Sequence, residues 1–379
     1  MSEIFRGKGS PEMREELIRF LDMVFGFTEN GNNFLKLHPK LYKEEYRPCE
    51  NNYIITEDGA IKAAVGAYDT VLDVNGEKLR VRGIGNVAVH PDSRSKGYMI
   101  DCMERALADM AADGCDISTL SGQRQRYMYF SYDRGGPEYR FSITSSNVRH
   151  AFRDVPFTAL DFIPVGEGDT ELLGKITALH NTRPLRMIRP DAAFPDIART
   201  WGSELYAIVK DGECIGYFIG SLNELTLADP ADFDDVIRNY TAEKSSVQLK
   251  LPMWNRELAA RAFRICESVS MEDSEQFTVF HYQKVIGAFL RFRTTYETLP
   301  DGEWTVLIHG CAGDEKLRIT VTDNTADVEV YDGEAETELC HTDAMSLLFG
   351  LYSPQRESLA APVKNWLPLP LFVENADRV

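Results

Sequence analysis

The sequence has 379 residues, which at about 100–200 residues per domain leaves room for two or three domains. With 44% hydrophobic and 26% charged residues, its composition is that of a globular protein. The 59 acidic and 41 basic residues give a formal net charge of −18, which disfavours nucleic acid and anionic membranes as partners and favours small cations such as amines. The sequence lacks an apolar run of 18 residues, and its N-terminal segment alternates charged and apolar residues. We therefore expect a cytosolic protein without a membrane span.

The cysteine and histidine patterns predict neither disulfides nor a metal site. The seven cysteines are widely spread and include no CxxC pair, which is typical of a protein from a reducing compartment. The seven histidines include no HExxH motif or other spacing known from metal sites. We expect no metal.

The first ~150 residues alternate between helix and strand patterns. Apolar residues at helical spacing predict helices over Pro11–Phe25 and Gly97–Gly114. An antiparallel meander, a helix and a further strand are typical of a mixed α/β sandwich, not of a doubly wound parallel sheet. The predicted strands are Asn52–Glu57, Ala60–Leu72, Leu79–Val89 and Cys115–Leu120, with Asn75-Gly76 as a hairpin turn.

From about Phe157 a similar order starts again, as in a degenerate copy of the first domain. Residues 251–258, where a nucleotide-binding motif is expected in this copy, contain no glycine, so the copy is interpreted as structural. The predicted helices are Asp169–His180, Ala192–Trp201, Phe233–Tyr240 and Arg256–Cys266, and the predicted strands are Leu205–Lys210, Cys214–Gly220 and Val247–Leu251.

The last hundred residues differ in composition, because residues 299–379 contain 15 acidic and 5 basic residues. The two prolines near the end, Pro368 and Pro370, predict that Trp366–Val379 is extended. The predicted helices of this region are Val285–Arg293 and Asp343–Leu348, and the predicted strands are Trp304–His309, Leu317–Thr322 and Ala326–Tyr331.

The most informative stretch joins the strand ending at Val89 to the helix after Gly97. A helix N-terminus presents unpaired N–H groups and a partial positive charge, which suits a pyrophosphate. Gly97 allows close approach of the backbone to the phosphates, and Arg94 and Lys96 add positive charge in an acidic protein. The alternative is a plain basic turn before a helix.

The stretch resembles the acetyl-CoA motif of the GNAT superfamily of N-acetyltransferases, in which a strand leads to Arg/Gln-x-x-Gly-x-Gly/Ala. Here the motif is Arg94-Ser95-Lys96-Gly97-Tyr98-Met99, so Met99 replaces the last small residue. With the three-part layout, the chain resembles the enhanced-intracellular-survival (Eis-like) family of bacterial acetyltransferases. The resemblance implies a GNAT domain (1–150), a degenerate second GNAT-like domain (151–275) and a sterol-carrier-protein-like C-terminal domain (276–379). It also implies a homo-oligomer such as a hexamer.

The resemblance implies that acetyl-CoA, as co-substrate, is held by the strand, the following turn and a second loop. Backbone N–H groups near Val89 would stabilise the thioester carbonyl as charge develops on it. The residues implied in acetyl-CoA binding are Val87, Ala88, Val89, Arg94, Ser95, Lys96, Gly97, Tyr98, Met99, Ile100, Ser121 and Gly122.

A second signature of the family, Tyr-x-x-Phe-x-Tyr, corresponds here to residues 127–132. Its first tyrosine is the general acid, which implies that role for Tyr127, and a pKa near ~10 suits protonation of a departing thiolate. One extra residue after Ser121 leaves Tyr129 as a competitor, and both tyrosines could instead be core or pocket aromatics.

The motif contains no obvious base for the amine. In the Eis-like family the C-terminal carboxylate enters the active site, which implies that role for Val379, although a disordered tail end is an equal alternative. The predicted function is acetyl transfer from acetyl-CoA to a primary amine of a small cationic substrate. The alternative is a lipid-binding protein that uses the sterol-carrier-like domain and retains vestigial acetyltransferase domains.

Overall fold

A computed structural model describes residues 3–27 and 33–379 of the chain, which form a mixed α/β protein with three β-sheets. Within these ranges no helix is long and apolar enough to cross a membrane. The strands are β1 (Ile4–Lys8), β2 (Asn52–Glu57), β3 (Ala60–Val74), β4 (Glu77–Val89), β5 (Ile117–Leu120), β6 (Asp133–Thr144), β7 (Asp161–Pro164), β8 (Leu185–Met187), β9 (Leu205–Lys210), β10 (Glu213–Ile219), β11 (Glu224–Leu227), β12 (Ser246–Pro252), β13 (Ser268–Val279), β14 (Gly302–Gly310), β15 (Gly313–Thr322), β16 (Thr325–Val330) and β17 (Thr337–Cys340).

The helices connect and cover these sheets. They are α1 (Arg14–Val24), α2 (Phe34–Leu37), α3 (Pro39–Tyr42), α4 (Tyr98–Ala112), α5 (Arg124–Tyr127), α6 (Ser145–Ala151), α7 (Thr170–Asn181), α8 (Phe194–Ala198), α9 (Phe233–Lys244), α10 (Arg256–Ile265), α11 (Tyr282–Thr294), α12 (His341–Phe349) and α13 (Ala361–Trp366). The predicted mixed α/β class is confirmed.

The largest sheet joins distant parts of the chain. Its strand order is β1-β2-β3-β4-β5-β13-β6-β12, with β8 paired to β3. The strand β13 therefore lies between β5 and β6, which are neighbours in sequence, and is antiparallel to both. The predicted boundaries after residues 150 and 275 fall inside α6 and β13, and the division into three domains stays a prediction.

The element order of the first part of the chain recurs in the second. The segment β3-β4-α4-β5 corresponds in order to β10-β11-α9-β12. In the second copy, however, β11 is the edge of a separate sheet with the order β11-β10-β9-β7, whereas β12 pairs with β6 in the large sheet. The two copies are therefore joined by two strands, β12 and β13, that follow the second sheet in sequence but pair with strands of the first copy.

The third sheet, β16-β15-β14-β17, packs on α11 and α12. Large side chains fill the interior of this region: Trp304 and Trp366 are each 1% exposed and Phe289 is 0% exposed. One hydrophobic core extends from this sheet to Leu79 and Val81 on β4, so the C-terminal region supports the strand that carries the predicted motif.

The helix α4 forms where its sequence predicts. Four apolar residues at spacings of one, three and four are buried: Cys102, Met103, Ala106 and Met110. Gly97 precedes the helix with φ of +78°. This left-handed conformation is one that glycine adopts without the steric penalty of a side chain.

The chain end is not a free tail. The predicted extended segment Trp366–Val379 has non-regular backbone from Leu367 to Glu374 and a short 3₁₀ turn at Asn375–Asp377. Leu369, Leu371 and Val373 are buried in the same core as the third sheet. Burial of these apolar side chains therefore stabilises the tail in its position against the rest of the protein.

The position of β13 between β5 and β6 can be tested by substitution. Phe277 on β13 is 0% exposed, and its replacement by alanine should lower the free energy of unfolding by about 3–5 kcal/mol, because a large cavity forms. Phe263→Ala, at a side chain that is 66% exposed, should change it by no more than about 0.5 kcal/mol. Urea denaturation followed by tryptophan fluorescence measures both, and equal midpoints for the two variants would contradict the placement of β13.

Candidate active site

The strands β4 and β5 separate and leave a wedge between them. Their parallel pairing runs from Val81 opposite Ile117 to Ile84 opposite Leu120. Beyond Leu120 the strand β5 ends, whereas β4 continues for five more residues to Val89. The backbone of residues 85–89 therefore faces a gap in the sheet, as it must if a ligand is to enter between two strands.

A β-bulge bends β4 inside this wedge. The register against β3 shifts between Gly85, opposite Gly66, and Ala88, opposite Ala64. Asn86 within the bulge has φ of +41°, a conformation that asparagine tolerates better than most residues. The bulge takes residues 86 and 87 out of the regular ladder, so their backbone groups can bind a ligand.

The side chain of Asn86 is fixed by three hydrogen bonds. Its Oδ1 accepts from the hydroxyls of Tyr42 (2.8 Å) and Tyr68 (2.9 Å), and its Nδ2 donates to Oδ1 of Asn52 (2.7 Å). Asn86 is not among the residues predicted from the sequence, although the three residues after it are. The available signal was the Gly85-Asn86 pair inside a strand pattern, which is typical of a bulge.

The turn between β4 and α4 has the features of a phosphate site. The first hydrogen bond of α4 is from the Asp101 N–H to the Gly97 carbonyl (3.0 Å), and Gly97 supplies no side-chain cap. The N–H groups of residues 98–100 therefore have no acceptor within the helix. Ser95, with φ of +67°, and Gly97 shape the exposed turn in front of them.

The two predicted basic residues of this turn differ in their surroundings. The ammonium of Lys96 is 2.8 Å from a carboxylate oxygen of Glu57, and the Tyr98 hydroxyl donates to the same carboxylate. Arg94 is exposed and has no ion-pair partner within the described part of the chain. Arg94 is therefore the cation that is free to meet a phosphate.

The loop after β5 brings Ser121, Gly122 and Tyr127 together. The Ser121 hydroxyl donates to Glu275 on β13 (2.8 Å). A Cβ on Gly122 would lie 2.4 Å from the Tyr127 ring, so the ring packs on this glycine and no larger residue fits. Tyr127 also shares a hydrophobic cluster with Ile84 and Leu120, at the point where the strands separate.

The two candidate tyrosines have different environments. Tyr127 is 6% exposed, whereas Tyr129 is 69% exposed and packs only edge-on against Phe130 among the aromatic rings of the described residues. Burial raises the pKa of Tyr127, so its hydroxyl is protonated at neutral pH. The position at the wedge favours Tyr127 over Tyr129 as an acid.

The C-terminal residue lies against β4. A Cβ on Gly83 would lie 2.6 Å from a methyl carbon of Val379, and one on Gly85 would lie 3.3 Å from its carboxyl carbon. Glycine at both positions leaves the space that Val379 occupies. The chain terminus, 294 residues after Gly85, thus reaches the start of the bulge.

Buried polar contacts hold the residues just before Val379. The Lys40 ammonium donates to the carbonyls of Ala376 (2.5 Å) and Arg378 (2.7 Å). The Arg189 guanidinium donates to both carboxylate oxygens of Asp377 (2.9 and 2.8 Å). Such bidentate, charge-assisted pairs fix geometry as well as adding energy.

Two further ion pairs hold the tail. Arg183 pairs with Glu374, and Arg378 lies 3.4 Å from Glu275, the same carboxylate that accepts from Ser121. The tail is therefore tied to the first copy, to the second copy and to β13.

The corresponding turn of the second copy carries the wrong charge for phosphate. Element order places it between β11 and α9, at residues 228–232, and not at residues 251–258 as the sequence analysis expects. It contains Asp229 and Asp232, and the Asp229 carboxylate accepts from the Ala231 N–H (2.8 Å). The second copy is still interpreted as structural, because the two carboxylates in this turn would repel a pyrophosphate.

Residues 8–136 match the family model described as an acetyltransferase (GNAT) domain. The chain carries a GNAT acetyltransferase domain, and the protein is an N-acetyltransferase. The resemblance to GNAT enzymes is thereby confirmed. The search of curated proteins finds no match.

Solved structures with the same fold extend over the whole chain. They include a probable N-acyltransferase from Enterococcus faecalis V583 (15% identity, TM-score 0.70, 99% of each chain) and a GCN5-related N-acetyltransferase from Kribbella flavida (15%, 0.65, 100% of this chain and 99% of that one). Eis1 from Mycobacterium abscessus is also similar (12%, 0.63, 100% of each chain). At this identity the likeness shows a shared fold, and the sterol-carrier-like character of residues 276–379 stays a prediction.

The contacts of Lys40 predict a pH effect on stability. Burial lowers the pKa of its ammonium to about 7, against about 10.4 in an unfolded chain. Between these values the unfolded chain binds more protons, so this group makes the protein more stable as pH rises, by up to about 1.4 kcal/mol per pH unit. The stability of the wild type relative to Lys40→Met should therefore increase from pH 7 to pH 9, measured by urea denaturation.

Lys78→Met, at a lysine side chain that is 60% exposed, controls for the loss of a lysine. A Lys40→Met difference that stays as flat with pH as the control would contradict the prediction.

Proposed function

We propose that the protein transfers the acetyl group of acetyl-CoA to a primary amine, with Tyr127 as general acid and the Val379 carboxylate as base. The observation that carries the proposal is the position of the chain terminus against Gly85, where β4 and β5 separate. A GNAT domain supports the acyl transfer, and the contacts described above support the roles of the residues.

The turn before α4 suits the pyrophosphate of CoA. The free N–H groups of residues 98–100 and the partial positive charge of the helix terminus would hold phosphate oxygens. Arg94 adds a cation without an acidic partner among the described residues, and nothing lies within 4 Å of a Cβ on Gly97, so the turn is open.

Acetyl-CoA supplies an activated acetyl group, whose carbonyl carbon forms a bond to the amine nitrogen while its bond to sulfur breaks. Negative charge develops on the carbonyl oxygen, and backbone N–H groups of residues 86–89 on the bulge would stabilise it. The hydrogen bonds of Asn86 keep this part of β4 in one conformation, so the donors need no rearrangement.

The base must accept a proton from the amine, since an alkylammonium group is not a nucleophile. The Val379 carboxylate is the candidate, because its carboxyl carbon lies beside β4 and the adjoining residues are held by Lys40 and Arg189. The tail anchors thus determine where the carboxylate lies.

The leaving thiolate needs a proton, and Tyr127 can donate it. Its hydroxyl is protonated at neutral pH like that of any tyrosine, and burial raises its pKa further. The ring position on Gly122 places it at the loop after β5, on the other strand of the wedge from Val379. Acid and base would therefore approach from the β5 side and the β4 side of the wedge.

The alternative of a lipid carrier with vestigial acetyltransferase domains is not supported, because residues 8–136 match an acetyltransferase domain. The interior of the C-terminal region is filled by buried aromatic residues such as Trp304 and Phe289. The cytosolic location and the homo-oligomer, such as a hexamer, stay predictions.

The phosphate site is tested with two substitutions of equal size. Gly97→Glu should weaken acetyl-CoA binding by at least about tenfold relative to Gly97→Gln, because only the first places a negative charge beside the pyrophosphate. Both share the backbone cost of replacing a glycine with positive φ. Isothermal titration calorimetry gives the two dissociation constants, and equal values would contradict the site.

The general acid is tested with a pair of hydroxyl deletions. Tyr127→Phe should lower kcat by about 10²-fold with little change in the KM for acetyl-CoA, since the hydroxyl acts only as the thiolate leaves. Tyr129→Phe, at the exposed tyrosine, should leave kcat unchanged. The assignment of Tyr127 fails if the exposed position is the damaging one.

The terminal carboxylate is tested by changing its charge alone. Semisynthesis of the protein with Val379 as a C-terminal amide keeps the shape of the residue and removes the base, so kcat/KM for the amine should fall by about 10²-fold. The same ligation with a free acid is the control. Acetyl-CoA affinity should be unchanged, because the phosphate turn lies elsewhere. Equal rates for acid and amide would overturn the role of Val379.

A further inference from the structure

A cavity of about 380 Å³ opens beside the terminal carboxylate. Its walls come from β3, from Gly83 and Thr119 on β4 and β5, from the tail and from the second copy. Volumes of this size are typical of pockets that enclose small molecules. The side chain of Val379 lines it, so a group bound there can reach the carboxylate that we propose as base.

The wall that the second copy contributes is apolar. Every residue that lines the cavity from this segment is aliphatic: Met187, Ile188, Pro190, Ala193 and Ile197. The half-buried side chain of Val71 on β3 adds to this surface. The amine acceptor would therefore lie against hydrocarbon rather than against carboxylates.

The charged side chains that line the cavity are already paired. Asp69 lies 2.6 Å from the Arg82 guanidinium, and Asp377 accepts both hydrogen bonds of Arg189. Lys40 donates to two carbonyls of the tail. Among the described lining residues, the Val379 carboxylate has no ion-pair partner, whereas Asp69 shares Arg82 with Asp113 and its side chain is 71% exposed to water.

We propose that the acceptor is a monoamine with an apolar body, an arylalkylamine or a long alkylamine, and not a polycation. The proposal rests on the function proposed above. The amine group would face the terminal carboxylate while the apolar body packs on the aliphatic wall, which removes apolar surface from water. A second ammonium group would lose its water against this wall without a counter-ion.

A neighbouring acidic groove is the competing surface for a second cation. It contains Glu167 and Asp196, but Arg199 lies 2.7 Å from the first and Lys43 lies 2.7 Å from the second. Glu45 and Asp191 line the same groove without an ion-pair partner among the described residues, so a second ammonium group would be stabilised in this groove and not at the aliphatic wall.

The experiment compares three amines with the full-length protein in an assay of CoA thiol release. At one pH and saturating acetyl-CoA, kcat/KM should be at least about tenfold higher for 2-phenylethylamine than for ethanolamine or spermidine. A higher value for spermidine would overturn the proposal and favour polyamines. Similar values for ethanolamine and 2-phenylethylamine would also overturn it, because the apolar body would then contribute nothing.

A substitution in the aliphatic wall tests whether the apolar body of the amine binds there. Ile197→Asp should lower kcat/KM for 2-phenylethylamine by at least about tenfold and reduce its advantage over spermidine. Ile163→Asp makes the same change at a β7 side chain that is 39% exposed and should leave the amine preference unchanged. Equal preferences in both variants would contradict the placement of the apolar body.

Measurements of amine binding test the proposed substrate class separately from the proposed acetyl transfer. Isothermal titration of 2-phenylethylamine and of spermidine, in the presence of CoA, measures the pocket without acetyl transfer. If neither amine is acetylated but 2-phenylethylamine still binds more tightly, the proposed function fails and the apolar pocket stands. If acetyl transfer occurs and spermidine binds more tightly, the function stands and the substrate class is wrong.

Discussion

Val379 lies beside β4, and contacts from distant parts of the chain hold the residues before it. Val379 occupies the space left by Gly83 and Gly85, and burying the residues before it also buries their carbonyl and charged groups. Buried polar groups need partners, or each costs about 1–3 kcal/mol. Lys40 comes from the first copy and Arg189 from the second, so neither part alone can hold the tail. A chain terminus is otherwise among the least ordered parts of a protein.

The strands β12 and β13, which pair with the first copy, provide a rigid frame for the tail and the wedge. Because β13 pairs with both β5 and β6, the two copies share one sheet and cannot move apart without breaking its hydrogen bonds. Glu275 on β13 meets Ser121 from the loop after β5 and Arg378 from the tail. The same strand thus contacts both the loop that carries Tyr127 and the tail that ends at Val379.

The sequence predicts the local features well and the non-local ones poorly. The helix after Gly97, the turn and the paired strands before it follow from hydrophobic periodicity and turn residues, which depend on neighbours in the chain. The strands β6 and β13 were missed, because Gly135-Gly136-Pro137 interrupts one pattern and the first half of the other is polar and exposed. Their pairing depends on contacts between residues more than 100 positions apart, which no local pattern encodes. The contacts of Lys40 and Arg189 with the tail are also non-local, so the sequence does not predict them. Val379 is predicted only through a family resemblance.

The net charge of −18 and the chemistry of the cavity describe different stages of substrate capture. A negative protein attracts amines over distances of about a Debye length, near 8 Å at physiological ionic strength, and raises the rate of encounter. Inside the cavity the relevant charges are local, because Arg82 pairs with Asp69 and Arg189 pairs with Asp377, the two acidic side chains that line it. Surface charge therefore attracts cations of every kind, whereas in the proposed reaction the aliphatic wall that includes Ile188 and Ile197 would distinguish among them by their apolar part. Because encounter depends on salt and apolar burial does so only weakly, raising the ionic strength should slow the capture of polycations more than that of monoamines and should leave the contribution of the apolar body almost unchanged.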